Sequence, residues 1–149
     1  MVTEEVTLLQ DENDDQKLLA VLYTLVEKCA QRLRKRALRP RQAGLLIRYS
    51  DQMESKRQLR LPHFSLWDFD LYGPLESLFL KACSRRVRVR FMKIWFWDFS
   101  PSNGQLSLFH DPAPDAKKKS LVVQALDRIR QRHGEDAIGY GRTAHFQEP

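Results

Sequence analysis

The chain lacks most of the residues that chemistry at a protein site requires. It has two cysteines, Cys29 and Cys83, each in a predicted amphipathic helix and neither in a CxxC pair. That placement argues against a zinc site or a disulfide framework and fits buried, reduced thiols. The four histidines, His63, His110, His133 and His145, are scattered without ligand spacing. Carboxylates gather near the start, at Glu4, Glu5, Asp11, Glu12, Asp14 and Asp15, but no second cluster follows to share a metal pair. Gly134, Gly139 and Gly141 follow a predicted helix and do not open one, so no phosphate-cradling loop is visible. The chain is therefore expected not to be an enzyme and to need no cofactor. No apolar run approaches the ~18 residues of a membrane span. The acidic start, Met-Val-Thr-Glu-Glu, has no signal-peptide core. No membrane contact and a cytoplasmic location are expected.

What the chain does have is ordinary apolar content and an excess of base. Its 149 residues suit one domain with one core. A hydrophobic content of 42% is that of a folded globular protein. The formal net charge is +6, the pI is near 9.5, and arginine outnumbers lysine. A guanidinium-rich surplus suits a polyanionic partner such as nucleic acid. Whether the cations cluster on one face decides between that and simple solubility.

Periodicity places the elements. Residues 2–9 alternate, with Val2, Val6 and Leu8 against polar neighbours, and predict a strand. An acidic turn over 11–15 follows, where Asp14 or Asp15 can cap a helix over 16–36. That helix aligns Leu19, Leu22, Tyr23, Val26, Ala30 and Leu33 in one stripe and ends in Arg32, Arg34, Lys35 and Arg36, before Pro40. Residues 42–50 put Ala43, Leu45, Ile47 and Tyr49 on one face; after a turn at 50–52, residues 54–61 return with Leu59 and Leu61 inward. This is an antiparallel hairpin. A second helix over 68–83 carries Leu71, Leu75, Leu78, Phe79 and Ala82, and Pro74 places its start near Gly73. In a last strand over 86–97 the alternation passes from Val87 and Val89 to Met92, Ile94 and Phe96. It slips by one at Arg90-Phe91, which predicts a β-bulge. Residues 98–115 are irregular, and a third helix over 116–133 packs Leu121, Val122, Ala125, Leu126 and Ile129, with Gly134 at its end.

The order strand, helix, strand, strand, helix, strand predicts an α+β domain. Its four-stranded antiparallel sheet has two helices on one face (βαββαβ), followed by a linker and a C-terminal helix. The expected division is a domain over 1–99, a linker over 100–115, and a helix with tail over 116–149.

Such a sheet leaves one face uncovered. The outward positions of the central strands carry Arg48, Lys56, Gln58, Arg60, Arg88 and Lys93; Arg39 and Arg41 flank the hairpin, and Arg90 sits at the bulge. A row of cations on an open sheet can lie along a phosphate backbone with salt-sensitive attraction. Gln58 is the one amide among them, so contact to the backbone without sequence choice is expected. Trp95 and Trp97 share this face. They are expected to pack on the C-terminal segment or a neighbouring domain, with stacking on bases as the other use.

The irregular stretch holds Gln105-Leu106-Ser107-Leu108-Phe109. A Gln amide suits a pocket rim, and Leu106, Leu108 and Phe109 suit an apolar groove. The peptide resembles the motif by which bacterial polymerases and repair proteins bind the ring-shaped sliding clamp. Three further stretches join it in order: Arg32-Leu33-Arg34-Lys35-Arg36-Ala37-Leu38-Arg39, Leu45-Leu46-Ile47-Arg48-Tyr49-Ser50-Asp51, and Arg86-Val87-Arg88-Val89-Arg90. Together they resemble the little-finger (C-terminal DNA-binding) domain of Y-family translesion DNA polymerases of the DNA polymerase IV type, over roughly residues 2–99.

The resemblance implies a sheet that grips the DNA backbone, with Arg48, Lys56, Arg88, Arg90 and Lys93 as phosphate contacts. It implies a peptide, Gln105 to Phe109, that docks on the bacterial sliding clamp. The family's palm, fingers and thumb have no counterpart in the sequence, and magnesium would belong to that catalytic part. A separate catalytic chain is one candidate partner. Two other readings stay open: a stand-alone protein-interaction adaptor, like the inactive clamp-binding members of the superfamily, and a single-strand DNA binder using Trp95 and Trp97.

Overall fold

A computed structural model describes residues 1–62, 68–101 and 114–134. Its elements are β1 (Val2–Glu12), α1 (Asp15–Arg36), β2 (Leu38–Tyr49), β3 (Glu54–Arg60), α2 (Asp68–Ala82), β4 (Val89–Pro101) and α3 (Pro114–His133). The four strands form one sheet in the order β1-β4-β2-β3, and every neighbouring pair is antiparallel. α1 lies against β1 and β4, α2 against β2 and β3, and the helices touch each other. This is the βαββαβ architecture that the alternation predicts.

The core forms where the periods agree. α1 contributes Leu22, Val26, Ala30 and Leu33, and also Leu18, Val21, Leu25 and Cys29, so its buried face is wider than the predicted stripe. β2 contributes Ala43, Leu45, Ile47 and Tyr49, and β4 contributes Val89, Met92, Ile94 and Phe96. α2 closes the layer with Leu71, Tyr72, Leu75, Leu78 and Phe79. Each fully buried Leu or Phe contributes roughly 2 kcal/mol by its removal from water. Tyr49 stays satisfied in this layer because its hydroxyl donates to the Ala82 carbonyl at 3.0 Å.

Local chemistry sets the ends of α1. The Asp14 carboxylate accepts the Gln16 amide at 2.9 Å, capping the first turn. At the other end Ala37 adopts φ 51° and returns its amide to the Arg34 carbonyl. The chain then enters β2 at Leu38, earlier than the predicted strand start at residue 42. Pro40 is tolerated there because the β3 ladder on β2 starts only at Gln42, leaving Leu38, Arg39 and Pro40 paired with β4 alone.

Two expectations need correction. α2 begins at Asp68, not near Gly73, and Pro74 lies inside it. Tertiary anchoring holds the turn before the proline: the fully buried Asp68 carboxylate accepts from Arg34 Nη1 at 2.7 Å, while Leu71 and Tyr72 enter the core. α3 turns a different face inward from the one its apolar stripe indicates. Val123 and Arg130 are buried, whereas Leu121 is 65% exposed, Val122 48% and Ile129 36%.

The charge on α1 explains that rotation. Arg34 donates from Nε and Nη2 to the two carboxylate oxygens of Asp127, at 2.8 and 2.9 Å. Arg130 sits between Glu27 of α1, at 3.7 Å, and Asp127, at 3.8 Å. A guanidinium held between helices needs carboxylate partners. The face bearing Val123, Asp127 and Arg130 is the one that supplies them. Gly134, at φ 100°, ends α3 with its amide bonded to the Arg130 carbonyl, as the sequence predicts.

Candidate nucleic-acid interface

The helices cover one side of the sheet, and strand register lays out the other. Four cross-strand rows run over the open face. Glu54, Arg48, Phe91 and Thr7 form one; Lys56, Leu46, Lys93 and Glu5 the next. Gln58, Gly44, Trp95 and Thr3 form the third, and Arg60, Gln42 and Trp97 the fourth. Arg48, Lys56, Arg60 and Lys93 therefore share one face, as their alternation predicts.

The bulge is present. Arg48 pairs with Phe91 and Tyr49 with Val89, so Arg90 is the extra residue on β4. Its guanidinium donates from Nε and Nη2 to Asp11 at 3.0 and 3.2 Å. That hydrogen bond holds the Asp11 carboxyl below the usual carboxylate range. Arg88 precedes β4, and its carbonyl accepts the Ser50 amide at 2.8 Å. Arg39 and Arg41 lie within β2 and do not flank it. Arg41 shares the alternation of the buried Ala43 and Leu45, and its Nη1 is 4.0 Å from Asp98. It stands outside the open-face rows.

Carboxylates pair with several of these cations, which composition did not reveal. Arg48 bonds Glu54, its cross-strand neighbour, from Nε at 2.9 Å and Nη2 at 2.8 Å. Lys93 lies 3.8 Å from Glu5 on β1. At the hairpin end Arg85 donates to Asp51 at 2.7 Å, which lowers the Asp51 pKa. The signal for the Arg48–Glu54 pair was present in the sequence, because a turn at 50–52 sets those two residues opposite each other. The β1 carboxylates carried no such signal, since β1 reaches β4 only through the tertiary fold.

Aromatic rings fill the middle of the face. Trp95 is only 8% exposed, and a Cβ on Gly44 would collide with its Cε2 and Cζ2 atoms. Lys56 Nζ sits 5.3 Å from the Trp95 ring centroid, and Trp97 stacks against Trp95 at 6.3 Å. Arg48 lies 4.9 Å over Phe91. Among the described residues the tryptophans pack on the sheet itself and on each other; the expected packing on the C-terminal segment or a neighbouring domain falls outside the described residues. Trp95 is too enclosed to take a base, and Trp97 is half-buried. Residues Gln105 to Phe109 lie outside the described residues.

The model of the impB/mucB/samB family C-terminal domain matches residues 1–108. A DNA polymerase IV of Dehalococcoides mccartyi is 31% identical over 148 residues, 99% of this chain and 37% of that protein. A DNA polymerase IV of Acetivibrio thermocellus is 27% identical over 133 residues, 87% of this chain and 32% of its own length. The chain thus spans about a third of the length of the curated relatives it matches. Among solved structures, the complex of beta-clamp processivity factor and little finger domain of PolIV aligns with TM-score 0.53 and 19% identity, covering 67% of this chain and 89% of that one. The post-insertion binary complex of Dbh DNA polymerase aligns with TM-score 0.58 and 14% identity, covering 66% of this chain and 28% of that one. The chain shares its overall fold with these structures, and it belongs to the impB/mucB/samB family through that family's C-terminal, little-finger domain.

Proposed function

We propose that this chain is the DNA-binding and clamp-binding part of a Y-family translesion DNA polymerase, acting in DNA repair and damage tolerance in the cytoplasm. The open sheet lies along the DNA backbone, and Gln105, Leu106, Leu108 and Phe109 anchor on a bacterial sliding clamp. The chain itself carries out no chemistry and needs no cofactor. The observation that carries the reading is the open face, where Arg48, Lys56, Arg60 and Lys93 share one side of a sheet opposite its helices. The complex between the beta-clamp and the PolIV little finger, a protein of the same fold, supports the second partner.

Two binding measurements test this reading. Affinity for mixed-sequence duplex DNA is expected to fall steeply with added salt, since each neutralised phosphate releases counterions. Binding to a bacterial sliding clamp is expected to be lost in Phe109→Ala while DNA binding is kept, because one aromatic anchor carries much of a peptide interface. Loss of both activities together would sink the two-site reading. DNA affinity indifferent to salt would favour the protein adaptor, whose sheet binds an apolar partner.

A further inference from the structure

The face proposed to hold DNA carries its own anions. Glu5 and Asp11 stand on β1, and Glu54 stands on β3, the two edge strands of the sheet. Each is in contact with a cation nearer the centre: Glu5 with Lys93, Asp11 with Arg90, and Glu54 with Arg48. Arg90 presents a guanidinium fork to the two Asp11 oxygens, at 3.0 and 3.2 Å, while Arg48 brings two nitrogens to the single Oε1 of Glu54, at 2.9 and 2.8 Å; the Arg90 pair shows the bidentate form. That is the geometry in which arginine also grips phosphate. Lys56 and Arg60 of β3 have no carboxylate partner among the described residues.

The fold does not need these pairs. The cation side chains are 34–44% exposed, and an exposed ion pair contributes little to stability because water screens it. Their cost to a polyanion is larger, because a phosphate must displace a tethered carboxylate and meets the repulsion of the displaced one.

We infer that Glu5, Asp11 and Glu54 are built-in competitors for phosphate, which hold the DNA affinity of the open face down and leave Lys56 and Arg60 as its unshielded contacts. Binding is an exchange of carboxylate for phosphate at Lys93, Arg90 and Arg48. The sheet then grips DNA weakly enough to slide with it, and other contacts decide residence. This inference rests on the DNA-binding reading and gives it a sign that composition cannot give: removing acid from this face tightens binding.

The test is anisotropy of a labelled mixed-sequence duplex titrated with the full chain at several salt concentrations. Glu5→Gln, Asp11→Asn and Glu54→Gln are compared singly and together, with thermal melts to confirm folding. The expected gain is about threefold for each single change, the scale of an exposed ion pair, and roughly tenfold or more for the triple. The triple is also expected to show a steeper dependence on salt. Glu4→Gln separates local from global charge. Glu4 is on the helix side of the same strand, paired with Arg32 at 2.7 Å, and its loss adds the same net charge off the face. An equal gain from Glu4→Gln overturns the inference, as do unchanged or weaker affinities in the folded open-face variants. Wild-type binding that is absent or insensitive to salt removes the DNA reading itself. The inference survives that result only if the triple variant acquires salt-sensitive binding, and it falls if the triple does not.

Discussion

Trp95 of β4 covers the backbone of Gly44, its partner on β2, leaving no room for a side chain there. This contact lets a tryptophan lie down on an otherwise open sheet, with Lys56 over its ring and Trp97 stacked beside it. Gly44→Ala is expected to lower stability by about 2 kcal/mol through overpacking, partly offset by the ordinary entropic benefit of replacing a glycine. The displaced indole should shift tryptophan emission to the red. An unchanged melt with unchanged emission would show that Trp95 is not seated on Gly44.

Asp127 is the residue that fastens α3. Its two hydrogen bonds from Arg34 are charge-assisted, and Arg34 is only 10% exposed. Asp127→Ala is expected to cost about 2 kcal/mol. Protection from hydrogen exchange should then be lost selectively over residues 121–133, with β2 and β4 still protected. Uniform loss across the sheet would mean that α3 and the domain unfold as one unit.

Glu27 makes the stability of the helix layer depend on pH. Burial pushes its pKa up from 4.5 to about 7, and Asp68 adds to the rise, while the Tyr72 hydroxyl, Arg130 and Arg34 oppose it. The raised pKa means that the folded state holds a proton the unfolded state has released. Glu27 therefore favours folding below about pH 4.5, and that contribution is lost as pH rises to about 7. At ~1.4 kcal/mol per pKa unit the change is on the order of 3 kcal/mol. Glu27→Gln should keep the Tyr72 contact and flatten the decline in stability between pH 5 and pH 8 seen by chemical denaturation. An unchanged slope would exclude Glu27 as its source.

Cys29 should report global unfolding. It is fully buried in α1, and burial pushes its thiol well above the ordinary range. Cys83 is half-buried at the end of α2, and its thiol is also raised by burial. Alkylation of the native protein is expected to be slow at both, with Cys83 modified first. Cys29 should react only as fast as the chain unfolds. Rapid native-state labelling of Cys29 would show that α1 opens locally.

Periodicity within single elements was enough to determine the fold class. Leu22, Val26, Ala30 and Leu33 on α1, and Ala43, Leu45, Ile47 and Tyr49 on β2, each point one way within a continuous segment, so the βαββαβ order and the buried face follow from local spacing. The Arg90 bulge was legible for the same reason, as a phase slip inside one strand. Likewise Arg48, Lys56, Arg60 and Lys93 could be assigned to one face.

Relations between distant segments were not legible. Gly44 and Trp95, Arg90 and Asp11, and Lys93 and Glu5 meet only because β4 lies between β1 and β2, and alternation within a strand carries no information about which strand is beside it. The same holds for α3. Its apolar stripe of Leu121, Val122, Ala125, Leu126 and Ile129 indicates one inward face, while the tertiary structure turns in Val123, Asp127 and Arg130 and keeps only Leu126 of the stripe partly buried. Arg34 is the physical reason: a charge held between helices takes its carboxylates from whatever packs on it, and that demand sets the rotation of the helix that answers it.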